Sequence, residues 1–166
     1  MEIEALSTRF KVKKITEEEI PAVLRLCRGN PLYYEYCPPA ASAESIRADL
    51  AALPPCKTPE EKEYVGFYEN GRLAAVMDLI SRYPDEETAF IGFFMVDRAF
   101  QSAGVGSAII AEALSALETM GFQKARLCYV KGNRQSKAFW EKNRFMPTGV
   151  EVPKEHYTVV VMERLL

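Results

Sequence analysis

Gln101-Ser102-Ala103-Gly104-Val105-Gly106 sets two glycines at the spacing Q-x-x-G-x-G, after the apolar run "TAFIGFFMV" and a short polar loop. In the segment that follows, Val105, Ile109, Ala113 and Leu117 recur every four positions, which is helical spacing. A helix start offers unpaired N–H groups and a partial positive charge, and glycines remove the Cβ atoms that would hold an anion away. The chemistry that fits is binding of a phosphate or pyrophosphate. The same glycines also fit a plainer role, letting the helix pack closely on a sheet. A P-loop requires GxxxxGK[ST], and no lysine follows here. A dinucleotide fingerprint needs glycine where Ile109 stands and no loop before it, so neither phosphate motif is present.

A second block runs from Asn133 to Phe145. Together, the order strand, "VDRAFQSAGVGSAII", strand, "NRQSKAFWEKNRF" resembles the acetyl-CoA-binding core of the GNAT superfamily of N-acetyltransferases. The family's Q/R-x-x-G-x-G/A loop is matched at Gln101, Gly104 and Gly106. Its N-x-x-[AS]-x-x-[FL]-[YW]-x-K-x-G-F block is matched at Asn133, Ser136, Phe139, Trp140, Lys142 and Phe145, with Arg144 replacing the usual glycine. The resemblance implies that the backbone of Gln101, Ser102, Ala103, Gly104, Val105, Gly106 and Ser107 wraps the pyrophosphate of coenzyme A. It implies that Phe94, Met95 and Val96 hold pantetheine through their main chain, and that Asn133, Ser136, Phe139 and Trp140 complete the cofactor site. Gly92, flanked by large residues in that strand, fits a bulge or a close backbone approach, or else a plain core strand in which it fills space between large side chains. Ala103 stands where the family often has a basic residue, which removes one phosphate partner. On this reading Gly106→Glu blocks coenzyme A while sparing the fold.

The reaction that the resemblance implies is direct attack of a neutral amine on the thioester carbonyl of acetyl-CoA, with no metal. The amine must lose a proton and the leaving thiolate must be stabilised. Asp78 interrupts the apolar strand "LAAVMDLIS". A buried carboxylate there has a raised pKa suited to a base, and it equally fits a structural acid paired with a lysine or with backbone amides. Glu35 and the turn acids Asp85, Glu86 and Glu87 are further candidates. Many relatives have tyrosine where Trp140 stands, and indole is no practical acid. The thiolate is then protonated by water or Tyr129, or departs as it is. The acceptor site implied by the fold lies over "NPLYYEYCPP", where Tyr33, Tyr34, Glu35 and Tyr36 form an aromatic, slightly acidic pocket suited to a small cationic amine, or else plug the end of the sheet. His156 lies near the last strand, as an acceptor neighbour or a structural histidine. A protein or peptide amine is the alternative acceptor, and an acetyl-CoA-binding regulatory module without turnover is the alternative function.

The elements that must position these residues can be read along the chain. Phe10 and Val12 alternate with lysines as a first strand. Thr16 and Glu19 have capping-box spacing before a helix that begins there or at Pro21, and stops at Gly29. "GNPLYYEYCPP" reads as an irregular loop. Ser42 caps a second helix, which Pro54-Pro55 ends. Asn70-Gly71 joins two strands in a hairpin, and "TAFIGFFMV" adds a third antiparallel strand. The glycine-started helix, the strand "KARLCYV", the helix "NRQSKAFWEKN" and two closing strands follow. The class is α+β (mixed α/β), with one mostly antiparallel sheet of about seven strands and about four helices.

The 166 residues, 48% of them hydrophobic, suffice for one core, so a single domain over 1–166 is expected. A net charge of −2 with no dense basic run argues against nucleic acid. No apolar run approaches the ~20 residues of a membrane helix, and the N-terminus has no signal-like stretch, so a cytoplasmic location is expected. Four cysteines without a CxxC pair and one histidine leave neither a zinc site nor a disulfide framework in prospect. The chain is expected to be a monomer or a homodimer, with "HYTVVVM" as an edge strand available for pairing.

Overall fold

In a computed structural model describing residues 1–166, the local signals become elements in the expected order. Strand β1 is Lys11–Lys14. Thr16 and Glu19 form the capping box, but it closes a 3-10 turn over Glu17–Glu19, and helix α1 then runs over Ile20–Arg28 with Pro21 in its first turn. Proline is tolerated there because first-turn N–H groups have no intrahelical partner. The Ser42 hydroxyl accepts from the Ser45 amide (3.0 Å) and starts helix α3, Ala43–Ala51. Between them the stretch expected to be irregular forms a six-residue helix, α2, Pro31–Tyr36, so the chain has five α-helices. Pro31 presets its first turn, and Tyr33 packs edge-on against Tyr34 and against Phe93 of the sheet. Tertiary contact holds a helix too short to stand alone.

Strands β2 (Lys62–Glu69) and β3 (Arg72–Ser81) meet at Asn70-Gly71, both with positive φ, +50° and +79°, as the tight hairpin requires. Strand β4 is Thr88–Val96, helix α4 Val105–Thr119, strand β5 Lys124–Val130, helix α5 Arg134–Lys142, strand β6 Met146–Pro153 and strand β7 Thr158–Leu165. They make one seven-stranded sheet in the order β1-β2-β3-β4-β5-β7-β6, antiparallel except for the β4–β5 pair. The fold is α+β and GNAT-like. Strand β7 is bonded on both sides, by β5 and β6, so it is not the edge expected from its place near the end of the chain. The turn after β6 lays β6 outside β7, and β1 and β6 are the edges.

Helices α4 and α5 cover one face, where Ile109, Ile110, Leu117 and Trp140 pack on Phe67, Met77, Ile91 and Leu127. Helices α1 and α3 cover the other, where Val23, Leu26 and Ile46 pack on Tyr64, Val76 and Met95. No helix is long and apolar enough to cross a membrane. Two interruptions of the sheet matter for function. Asp78 of β3 pairs with Phe93 of β4 while Leu79 pairs with Ile91, which leaves Gly92 of β4 as the extra residue of a bulge. Strands β4 and β5 pair only from Thr88↔Lys124 to Ile91↔Leu127 and then part.

Candidate active site

The parting of β4 and β5 opens a gap in the middle of the sheet, and the pleat decides what faces it. The Asp97 amide donates to the Ala74 carbonyl at 2.8 Å, which makes Val96↔Ala75 a pair without mutual hydrogen bonds and Met95↔Val76 a bonded one. The N–H and C=O of Phe94 and Val96 therefore point away from β3 into the gap, while those of Met95 are spent on β3. Of the three main-chain contacts expected for pantetheine, Met95 is unsuited; its side chain packs in the core beneath α1.

The gap runs into the loop before α4. Ser102 and Gly104 have positive φ, +65° and +75°, and Gly104 is the N-cap of α4 in left-handed conformation. The first intrahelical bond joins the Ala108 amide to the Gly104 carbonyl (2.9 Å), so the amides of Val105, Gly106 and Ser107 remain unspent at the positive end of a 15-residue helix. The two glycines do different work. A Cβ at Gly104 would meet nothing within 4 Å, so its need is conformational. A Cβ at Gly106 would lie 3.1 Å from Phe139 Cε2 and 3.2 Å from Val96 Cγ2, so this glycine admits the close approach of α4 to β4 and α5. The expectation that Gly106→Glu leaves the fold intact does not fit that crowding.

Asn133 caps α5 by accepting from the Ser136 amide (3.0 Å), a local cause for that spacing in the second block. The cap aims α5 so that Phe139 and Trp140 reach the gap. Trp140 packs against Phe94, Phe139 and Phe145 at ring-centroid distances of 6.0, 4.9 and 5.3 Å. Arg144 takes φ +65° at the exit of α5, the conformation for which glycine is the easy choice.

Phe94, Met95, Val96, Gln101, Ser102, Gly104, Val105, Gly106, Ser107, Asn133, Ser136, Phe139 and Trp140 all line one cleft of about 340 Å³; of the residues expected to hold cofactor, only Ala103 lies outside its wall. Four others join them: Asn30, Tyr33, Gln135 and Lys142. Lys142 was readable, since it is the lysine of the second block, and it supplies a cation where Ala103 does not. Asn30 carried no local signal. Tyr129 is not on the cleft wall; it is 8% exposed and packs in the core under α4 and α5.

Asp78 lies on the opposite face of the sheet, beside the bulge. Its Oδ2 accepts from Lys62 Nζ at 2.8 Å, and its Oδ1 is buried with no protein partner. Burial pushes its carboxyl up from the usual value, against the pull of Lys62. Asp78 Oδ2 stands 2.7 Å from where a Cβ on exposed Gly92 would be, so the glycine makes its room. Asp49, raised by burial, contributes a second carboxylate field to the same face. Tyr33, Tyr64 and Phe93 surround this place, with Tyr64 stacked on Phe93 at 6.5 Å.

The acceptor residues expected on one loop are dispersed by α2. Tyr33 faces the cleft, Tyr34 contacts Cys27 of α1, Tyr36 reaches toward Gly132 and Glu35 is exposed. Burial pushes the phenols of Tyr33, Tyr34 and Tyr64 well up, so all three are neutral hydroxyls. His156 is exposed in the β6–β7 turn, and the phenol of its neighbour Tyr157 is pushed up to about 12, chiefly by the Cys37 thiol at the end of α2 and then by burial. No group of three or more His, Cys, Asp or Glu gathers as a metal site.

A sheet split beside a parallel pair, with unspent backbone along one strand and unspent amides of a helix start at its mouth, is the architecture of an acyl-CoA-dependent transferase. The sequence model of the acetyltransferase (GNAT) family matches residues 29–145, and the chain belongs to that family. It is an acyltransferase enzyme. Among solved structures it is similar to an acetyltransferase from Thermus thermophilus, with a TM-score of 0.75 at 18% identity over 93% of this chain and 96% of that one. It is similar to the PaiA N-acetyltransferase from Thermoplasma acidophilum in complex with coenzyme A, with a TM-score of 0.67 at 14% identity over 95% and 99%. A third is the acetyltransferase from Salmonella typhimurium that modifies the N-terminal serine of ribosomal protein L7/L12, with a TM-score of 0.70 at 19% identity over 97% of both chains. At these identities the likeness is one of fold. No curated protein matches the chain.

Proposed function

We propose that residues 1–166 act as one N-acetyltransferase domain that moves the acetyl group of acetyl-CoA to the primary amine of a small molecule by direct attack on the thioester. The observation that carries this is the continuity of the gap with the α4 start: gap-facing backbone of Phe94 and the Val96 amide lead into unspent amides at Val105, Gly106 and Ser107. The former pair with pantetheine as an added strand does, and the latter receive the pyrophosphate beside Lys142. With the pyrophosphate at α4, the pantetheine arm runs back along β4 toward the bulge, so the thioester comes to rest near Gly92 and Phe93. The acetyl group supplied by the cofactor would then lie on the side of the bulge where Asp78 stands.

In that geometry Asp78 is the group placed to receive the proton of the attacking amine, through its unpartnered Oδ1, while Tyr129, off the cleft wall, is not placed to protonate the thiolate. Trp140 walls the thioester side with its ring. The departing thiolate is stabilised at the α4 and α5 side of the gap and takes its proton from solvent. Aromatic rings from Tyr33, Tyr64 and Phe93 with two carboxylates nearby support a cationic amine as the entering form. The crowding of those rings supports a small acceptor over a segment of a folded protein. The test is release of free thiol from acetyl-CoA against a panel of small amines, amino acids and peptides. Turnover with small amines is expected; turnover confined to peptides overturns the small-molecule assignment and leaves the cofactor reading intact.

A further inference from the structure

Asn30 stands between α1 and α2, and its carboxamide is fully committed. Its Nδ2 donates to the carbonyls of Leu26 (3.0 Å) and Val96 (3.1 Å), and its Oδ1 accepts from Gln101 Nε2 at 2.6 Å. Gln101 Nε2 spends its second hydrogen on the same Val96 carbonyl, at 2.9 Å. The network has one orientation, since flipping either amide would set oxygen against oxygen. Two consequences follow. The Gln101 side chain has no hydrogen left to donate to a phosphate, so the first residue of the glycine loop serves to fix the loop. The Val96 carbonyl has both acceptor positions filled, which holds the end of β4 in register with that loop and leaves only the Val96 amide for a ligand.

We propose that Asn30 is a positioning residue, a latch that joins the acceptor-side helix α2 to the coenzyme A loop so that filling the cofactor site organises α2. This rests on the cofactor placement proposed above. Asn30 is the residue immediately before α2, and Tyr33, one turn on, shares the cleft wall with it and packs on Phe93 at 5.6 Å. A loop held by coenzyme A holds Gln101, Gln101 holds Asn30, and Asn30 fixes the start of the helix that carries Tyr33 over the bulge. The coupling is a difference in free energy between sites, and so it acts in both directions.

The test uses coenzyme A itself as the probe, with calorimetry for affinity and segment-resolved hydrogen exchange for order. In the unaltered protein coenzyme A should slow exchange in both Gln101–Ser107 and Pro31–Tyr36. In Asn30→Ala, affinity should fall about tenfold, the cost of losing a satisfied, half-buried network, and at saturation the loop should still respond while α2 does not. Gln101→Ala, at an exposed site that does not hold α1, should give the same pattern and serves if Asn30→Ala fails to fold. The double variant should be no weaker than the worse single one, because both break one chain of contacts. An α2 that responds in the variants as it does in the parent, or losses that multiply in the double variant, would overturn the latch. Failure of the unaltered protein to bind coenzyme A would overturn the cofactor reading and the latch with it, whereas normal binding with an unresponsive α2 overturns the latch alone.

Discussion

At Asp78 one side chain answers to two demands. Its pair with Lys62 is 13% and 6% exposed, so Asp78→Asn strands a buried ammonium and should cost about 3 kcal/mol whether or not Asp78 takes part in chemistry. Loss of stability therefore does not separate a base from a structural acid. The double variant Lys62→Met, Asp78→Asn does, because it removes both charges; thermal melts should recover most of the lost stability while kcat stays low. The pH dependence follows from the raised carboxyl. The native state holds the Asp78 proton more tightly than the unfolded chain, so its contribution to stability is complete below the ordinary value of 3.8 and is lost as pH rises through the raised value. Activity runs the other way, rising as Asp78 ionises, with its acid limb above the ordinary value and absent in Asp78→Asn. Recovery of both stability and kcat in the double variant would leave Asp78 a purely structural acid. Trp140 offers a simpler contrast. Buried among Phe94, Phe139 and Phe145, it can lose ring area without losing a proton donor, so Trp140→Phe should cost about 1–2 kcal/mol of stability and leave kcat within a few-fold. A drop of about 100-fold in a folded variant would return the indole to the chemistry.

Among the elements, α4 shows how one motif joins close packing to a helix start whose amides remain unspent. Of the two roles considered for the glycines, close packing is met at Gly106, which lets the helix touch Val96 and Phe139, while Gly104 turns the chain. Gly106→Ala, the smallest addition, should already lower both the melting temperature and coenzyme A affinity, as the neighbours give way by a few tenths of an ångström. Ser107→Glu is the cleaner probe. Ser107 is the third residue of α4 and lines the cleft, and a carboxylate in the first turn complements the helix dipole. The melting temperature should therefore hold while coenzyme A affinity falls by about 100-fold or more from charge against charge. Unchanged affinity in Ser107→Glu would remove pyrophosphate from this helix start. The same elements mark what the sequence made readable. Hairpin, caps, the glycine loop and the second block are local patterns, each enforced by backbone conformation within a few residues, and most residues of one cleft wall followed from them. Asn30 was hidden because its partners Val96 and Gln101 lie 66 and 71 positions away. Helix α2 was hidden because six residues with no apolar period owe their helix to Phe93, and the interior place of β7 because order along the chain is not order in the sheet.

Across the whole molecule, the sheet is two half-sheets, β1-β2-β3-β4 and β5-β7-β6, joined by four residue pairs and by helices lying across the seam. A ligand seated along β4 fills the seam where the protein leaves it open, so binding should be felt throughout the fold. Mass action sets the size: at about a hundred times its Kd, a ligand that binds only the native state adds about 2.7 kcal/mol, which for a chain of this length raises the melting temperature by about 5–10 °C. That shift should appear with acetyl-CoA or coenzyme A and vanish in Ser107→Glu. Its location is the sharper test. If pantetheine extends the sheet, the amides of Phe94 and Val96, which face the gap, should gain protection from exchange on binding, while that of Met95, already bonded to Val76, should not change. Uniform protection of the three would mean that the ligand only stiffens the strand from a distance. Protection of Met95 alone would mean that the pleat of β4 is the reverse of that described, and the thioester would no longer be carried toward Gly92 and Asp78.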